Sequence, residues 1–187
     1  MASRYYYYFV ASLPSISYGD KPPKSTVEFR EECSYQLDPK DVALLPYCSY
    51  DPPMAVAALE STGSAFIDLF MLRERILALN LAFFRSGKLG RPVPPEPPQD
   101  IPRTVAVARA AFEIEDPLQA KIHIDRARWD ALDTMVGLDE LFGVNYVFVH
   151  LLKLHLLERY LRLSSETGLK KYQERYNTVL DEYNSRI

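Results

Sequence analysis

Apolar residues recur at helical spacing along most of this chain. Between Ser64 and Ser86, Leu69, Leu72, Ile76, Leu79 and Phe83 alternate at intervals of three and four, which places them on one stripe of a long helix that Gly87 and Gly90 bring to a stop. Farther on, Asp116 is positioned as an N-cap with Pro117 at the first helical position, and Ile122, Trp129, Leu132 and Val136 share a face before Gly137 closes it. From Val144 to Leu157 the chain is apolar nearly all round, which predicts a helix surrounded by others at the centre of the C-terminal half. A last segment, from about Ser165, carries Leu169, Tyr172, Tyr176, Val179 and Tyr183 on one stripe with charged outward positions, so it is expected to pack on the outside.

The N-terminal half reads as shorter helices. Ser25 and Glu28 have the Ser-x-x-Glu form of a capping box, and Asp38 followed by Pro39 repeats that start, with Pro46 as the brake. The opening run, Tyr5 to Tyr8 followed by Phe9 and Val10, has the composition of a strand. As a helix it places Tyr6, Phe9, Val10 and Leu13 on one stripe with Tyr5 and Tyr8 flanking, and that one-sided apolar face favours the helix. No sustained apolar–polar alternation appears elsewhere, so the expected class is all-α: a helical bundle in two halves. The proline-rich stretch from Arg91 to Arg103 divides them, giving an N-terminal helical half at 1–88, a stiff connector at 89–103 and a C-terminal helical half at 104–187, together one compact domain.

Composition narrows the possible functions. A chain of 187 residues, 48% hydrophobic and with net charge −3, can build a core, and its acids and bases are spread over both halves. A nucleic-acid partner is not expected, because no basic patch is concentrated. Two cysteines, Cys33 and Cys48, are too few for a disulfide framework or a zinc site, which suits a reduced, cytoplasmic setting. No uncharged apolar stretch reaches the roughly 20 residues needed to cross a bilayer, so any membrane contact is expected through partners.

Candidate chemistry is sparse. His150 and His155 lie about 140° apart round a helix and cannot chelate one ion as an i, i+4 pair would. His155 shares a face with Glu158, Arg159 and Arg162, which is either a proton-transfer site or a solvated polar stripe, and His123 has Lys121 and Asp125 nearby without a second ligand. The cluster of Glu113, Glu115 and Asp116 is explained more simply as helix-dipole complement than as a cation site. Nucleotide loops, zinc motifs and nucleophile elbows do not occur, so no catalytic residue, cofactor or metal is expected. What remains is surface: the 13 tyrosines offer large contact area at low entropic cost. The candidate interface residues are Tyr5, Tyr7 and Tyr8, with Arg73, Arg75 and Arg85 for polar pairing; Arg73 and Arg75 also read as a solvated face paired with Glu74 and Asp68.

Three stretches together resemble an uncharacterised family encoded beside the components of bacterial V-type (V/A-type) ATPases. They are the tyrosine-rich start followed by Ser25, Glu28 and Phe29; a long helix closing in Arg85 and Lys88; and a helix ending in Leu157, Glu158 and Arg159. That family is in turn similar to the all-helical central-stalk protein of those machines, which seats the rotor shaft on the membrane ring. The resemblance implies a non-catalytic coupling or assembly partner that contacts the central stalk and the membrane ring through helical surfaces. Two other readings stay open: a helical adaptor that grips a partner peptide, and a small helical enzyme using His155 and Glu158.

Overall fold

The computed structural model describes residues 5–50, 61–89, 103–137 and 141–163. Most of the proline-rich connector, and the tyrosine stripe expected beyond Ser165, lie outside the described residues. Among the described residues seven α-helices follow in order: α1 (Tyr7–Ser12), α2 (Thr26–Gln36), α3 (Pro39–Val42), α4 (Ala65–Leu89), α5 (Thr104–Glu113), α6 (Pro117–Met135) and α7 (Val144–Arg162), with a 3₁₀ turn at Leu45–Tyr47. The fold is all-α. Among the described residues the only extended pairing is an isolated bridge between Tyr5 and Gly143.

Helix α7 is the centre of the packing. Nine of its residues, from Val147 to Leu157, are buried, and they point to every side of the helix. Phe148 stacks on Phe66 of α4 at 6.3 Å, and His150 meets Phe29 of α2 at 5.0 Å. Phe29 in turn stacks on Phe9 of α1. Helix α6 lies along α7, α5 packs against both α4 and α6, and a smaller apolar cluster of Leu77, Ala108, Ala111 and Ile124 fills the space between α4, α5 and α6. Contacts between α4 and α5 and between α2 and α7 cross the connector, so the described residues before and after it share a core.

Local chemistry fixes the helix starts. The Ser25 hydroxyl accepts from the Glu28 amide at 3.2 Å while the Ser25 amide donates to Glu28 Oε2 at 2.8 Å, a complete capping box. Asp116 caps α6 through a bond from the Leu118 amide at 2.9 Å. Asp38 stands at the N-cap of α3 but its side chain makes no cap bond; its amide donates instead to the Tyr6 hydroxyl at 3.2 Å. Pro46 lies within the 3₁₀ turn rather than ending a helix, because a short i to i+3 turn has few amides to lose.

Other expectations change with the packing. On α4 the buried apolar residues are Phe66, Ile67, Phe70, Met71, Ile76 and Leu77, whereas Leu69 and Leu72, expected on the buried stripe, are each 45% exposed. This helix carries apolar residues on more than one side, and the side holding two phenylalanines turns inward because burying rings removes more apolar area from water. It also runs through Gly87 to Leu89, since one glycine weakens a helix without ending it. Helix α5 has no counterpart in the periodicity. Its buried positions are Thr104, Ala108 and Ala111, whose small side chains give a weak hydrophobic signal but let α4 approach closely.

These assignments predict a sharp contrast. Leu154→Ala, at a site with 0% exposure, is expected to cost about 2–5 kcal/mol in urea unfolding, while Leu69→Ala should stay within roughly 1 kcal/mol of the parent. Equal losses at the two positions would contradict the orientation of α4.

Candidate interaction surface

The tyrosine run divides its rings between core and surface by a change of backbone conformation. Tyr5 is extended and bridges to Gly143, and the Tyr6 amide donates to the Phe142 carbonyl at 2.7 Å; only from Tyr7 does the chain become helical. The expected anchoring stripe is present, with Phe9 and Val10 buried and Tyr6 and Leu13 packed against the core. Tyr6 is pinned further by its hydroxyl, which donates to Asp41 Oδ2 at 2.5 Å, and burial together with that carboxylate raises its pKa.

The other rings stay outside. Tyr5, Tyr7 and Tyr8 are 48%, 54% and 95% exposed. Tyr5 and Tyr7 stack at 5.4 Å, and Tyr7 meets Phe142 at 5.1 Å, so three rings form a continuous ridge that Leu141 extends. Phe142 and Leu141 do not stand out in the sequence. They precede the N-cap Gly143, where no periodicity marks them, and the Tyr5–Gly143 bridge and the Tyr6–Phe142 bond bring them to the tyrosines.

Leu141 also lines a cleft of about 250 Å³ between the 13–16 loop, α6 and α7. Its walls include Leu13, Ile16, Val136 and Val149, with His150 and Lys153 beside them. Ligand pockets for drug-sized molecules run upward from roughly 300 Å³, so this cleft suits a single side chain better than a cofactor. His150 is 5% exposed, and burial, assisted by Lys153, pushes its pKa down to about 4; Lys24 acts the same way and Glu32 opposes them. Lys153 itself is ion-paired to Asp133 and sits over the Trp129 ring.

The three arginines separate. Arg75 and Arg85 are exposed on α4, as a contact role requires. Arg73 is not: it is 7% exposed, 3.5 Å from Glu74, and bonded to the Ala127 carbonyl, which removes it from any contact surface. Nor does Asp68 pair with the arginines; it accepts from Ser61 and Thr62 and closes the loop before α4.

On the face considered for proton transfer, Glu158 and His155 make contacts to other elements. Glu158 accepts from the Thr26 amide at 2.7 Å and its hydroxyl at 3.1 Å, so it caps α2 from α7. His155 Nε2 lies 3.3 Å from Arg30 Nη2, which also donates to the Cys48 carbonyl. Cys33 and Cys48 are both fully buried, and burial raises the Cys33 thiol to about 12 and pushes Cys48 higher still, which keeps both protonated. Among the described residues no group of three His, Cys, Asp or Glu side chains is arranged to hold a metal ion, and no helix is long and apolar enough to cross a membrane.

Residues 102–183 match a family described only as a protein of unknown function, DUF2764. No curated protein and no solved structure matches the chain. The matched segment contains α5, α6 and α7, and so supplies Phe142 and most of the cleft but none of the tyrosines of the ridge.

That segment also holds a buried charge network that periodicity could not reveal. Asp125 on α6, 2% exposed, accepts from Lys121 at 3.2 Å, Arg128 at 2.8 Å and Arg159 of α7 at 3.2 Å. Arg128 reaches Glu74 of α4 through two N–H donors at 2.6 and 2.9 Å, and the guanidinium groups of Arg128 and Arg159 both lie over the Tyr50 ring. The only sequence hint was the i−4 and i+3 placement of Lys121 and Arg128 about Asp125.

The depressed pKa of His150 gives a signed expectation. An unfolded histidine titrates near 6.5, so between pH 6.5 and about 4 the unfolded chain binds the extra proton and stability falls as pH falls. The full effect is about 3 kcal/mol, and it should be absent above pH 7. Replacing the residue, His150→Gln, should flatten the pH dependence of urea midpoints in that window; an unchanged slope would mean that His150 is not held neutral.

Proposed function

We propose that this protein is a non-catalytic docking or coupling component that works by being held against a protein partner through the Tyr5–Tyr7–Phe142 ridge. The observation that carries the reading is the ridge itself. Three rings in contact remain substantially exposed although the chain has a well-filled core only one helical turn away. Rigid aromatic side chains with wet polar tips are what interface hot spots are made of. The adjoining cleft offers a socket for one apolar side chain of the partner, and Tyr8 stands clear beside the ridge.

The partner we assign is a bacterial V-type ATPase, with this chain as a component similar to the central-stalk protein, or an assembly factor, that bridges stalk and membrane ring. The support is the three helix motifs that carry the resemblance, and the reading places the protein in the cytoplasm, at the membrane only through its partners. Torque transmission needs stiff, cross-braced helices, and α7 supplies them by bonding to α2 through Glu158 and to α6 through Arg159 and Asp125. The same bonds weigh against the enzyme reading, since Glu158 is engaged as a cap. The cleft favours one further reading, a free-standing adaptor that seats a peptide side chain.

Affinity purification of the tagged protein from its native membranes in mild detergent is expected to recover ATPase components. A Tyr7→Ala, Tyr8→Ala double variant should weaken that capture at least about tenfold while its unfolding midpoint stays close to the parent, because both rings are more than half exposed. Recovery of another protein through the same ridge would establish the adaptor reading, and capture indifferent to both tyrosines would remove the ridge from the interface.

A further inference from the structure

The charge network between α4, α6 and α7 has no part in docking through the ridge, and among the described residues its charges do not balance. Two carboxylates, Glu74 and Asp125, face four cations, Arg73, Lys121, Arg128 and Arg159. A fifth cation, Arg126, lies 5.9 Å over the Tyr18 ring at the same end of the network. Burial sorts these groups. The side chains of Arg73 and Arg128 are 9% and 14% exposed and are engaged inward with Glu74, whereas Lys121 and Arg159 are 36% and 22% exposed and form the outer edge. The surplus positive charge therefore lies where solvent reaches it.

Hydrogen-bonding capacity points the same way. Among the described residues Lys121 and Arg159 each make one bond, to the same oxygen, Asp125 Oδ1, at 3.2 Å. An ammonium carries three donors and a guanidinium five, so most of their donors are uncommitted among the described residues. Sharing one oxygen also brings the two cations close enough for a single two-oxygen anion to bridge them. Both are pre-organised: Asp125 is 2% exposed and fixed by Arg128, and the Arg159 guanidinium is laid over the Tyr50 ring at 5.3 Å. Inside the network the Tyr50 hydroxyl is buried without a partner among the described residues. Like charges gathered this closely repel by several times the thermal energy at the effective dielectric of a protein surface, and an anion relieves that repulsion.

We infer that Lys121 and Arg159, held in place by Asp125, form a binding site for an oxyanion, a phosphoryl or carboxylate group presenting two oxygens. Such a site follows the usual division of labour in oxyanion recognition, in which a guanidinium supplies directed donors and an ammonium supplies charge. Asp125 does not touch the anion; it aims the two cations.

The test is titration of the whole chain with inorganic phosphate at ionic strength held constant with sodium chloride. Thermal unfolding should shift upward saturably, by about 3–6 °C at roughly tenfold excess over the dissociation constant. Phosphorus NMR should show line broadening that the protein causes and excess competitor anion removes. Lys121→Gln should abolish both effects, while Arg109→Gln, an exposed arginine on α5, should keep them. A parallel titration with acetate separates the sources: a response to phosphate alone assigns a phosphoryl ligand, and a response to both assigns oxyanions in general. If Lys121→Gln lowers the unliganded midpoint strongly, Arg159→Lys takes its place, with binding weakened several-fold. A shift no larger than chloride gives, or one that survives both substitutions, overturns the site.

Discussion

Helix α7 is apolar on every side, and a helix of that kind is stable only when it is enclosed. Most of the architecture follows from meeting this requirement with the helices at hand. Helix α6 covers one flank, α2 another, and Phe66 of α4 closes over Phe148. The described elements that enclose α7 come from both sides of the proline-rich connector, so the core is built from both. The polar residues at the end of α7 take their roles from the same arrangement. Glu158 emerges beside the start of α2 and caps it, and Arg159 emerges beside Asp125 and joins the charge network.

Enclosing α7 also explains the surface. Tyr5 and Tyr6 pass the N-terminal end of α7, where Tyr5 bridges to Gly143 and the Tyr6 amide bonds to Phe142. There Tyr6 turns inward to Asp41 while Tyr5 turns out onto Tyr7. The helix that follows buries Phe9 and Val10 and leaves Tyr8 in solvent. The aromatic ridge is thus a consequence of one short segment serving two conformations, with the inward half committed to the core and the outward half available to a partner.

The buried network illustrates a different balance. Taking charges out of water is expensive, and Asp125 is tolerated at 2% exposure because three cations bond to it. Arg73 obeys the same rule: the sequence suggests an open face, and burial beside Glu74 and the Ala127 carbonyl is possible because its neighbours supply acceptors. This arrangement ties α4, α6 and α7 in a fixed register.

Much of this was legible in the sequence where the deciding interaction is local. The capping box at Ser25 and Glu28, the Asp116–Pro117 helix start, the all-round burial of α7 and the Phe9–Val10 anchor depend on residues three or four apart, whose geometry a helix fixes by itself. The face that α4 buries, the existence of α5, the position of Phe142 against Tyr7 and the gathering of Glu74, Asp125 and Arg159 were not legible, because each depends on which helix lies opposite. Local spacing says which residues share a stripe; only packing decides which stripe goes inside, what the leftover rings touch, and where a surplus of charge is left facing water.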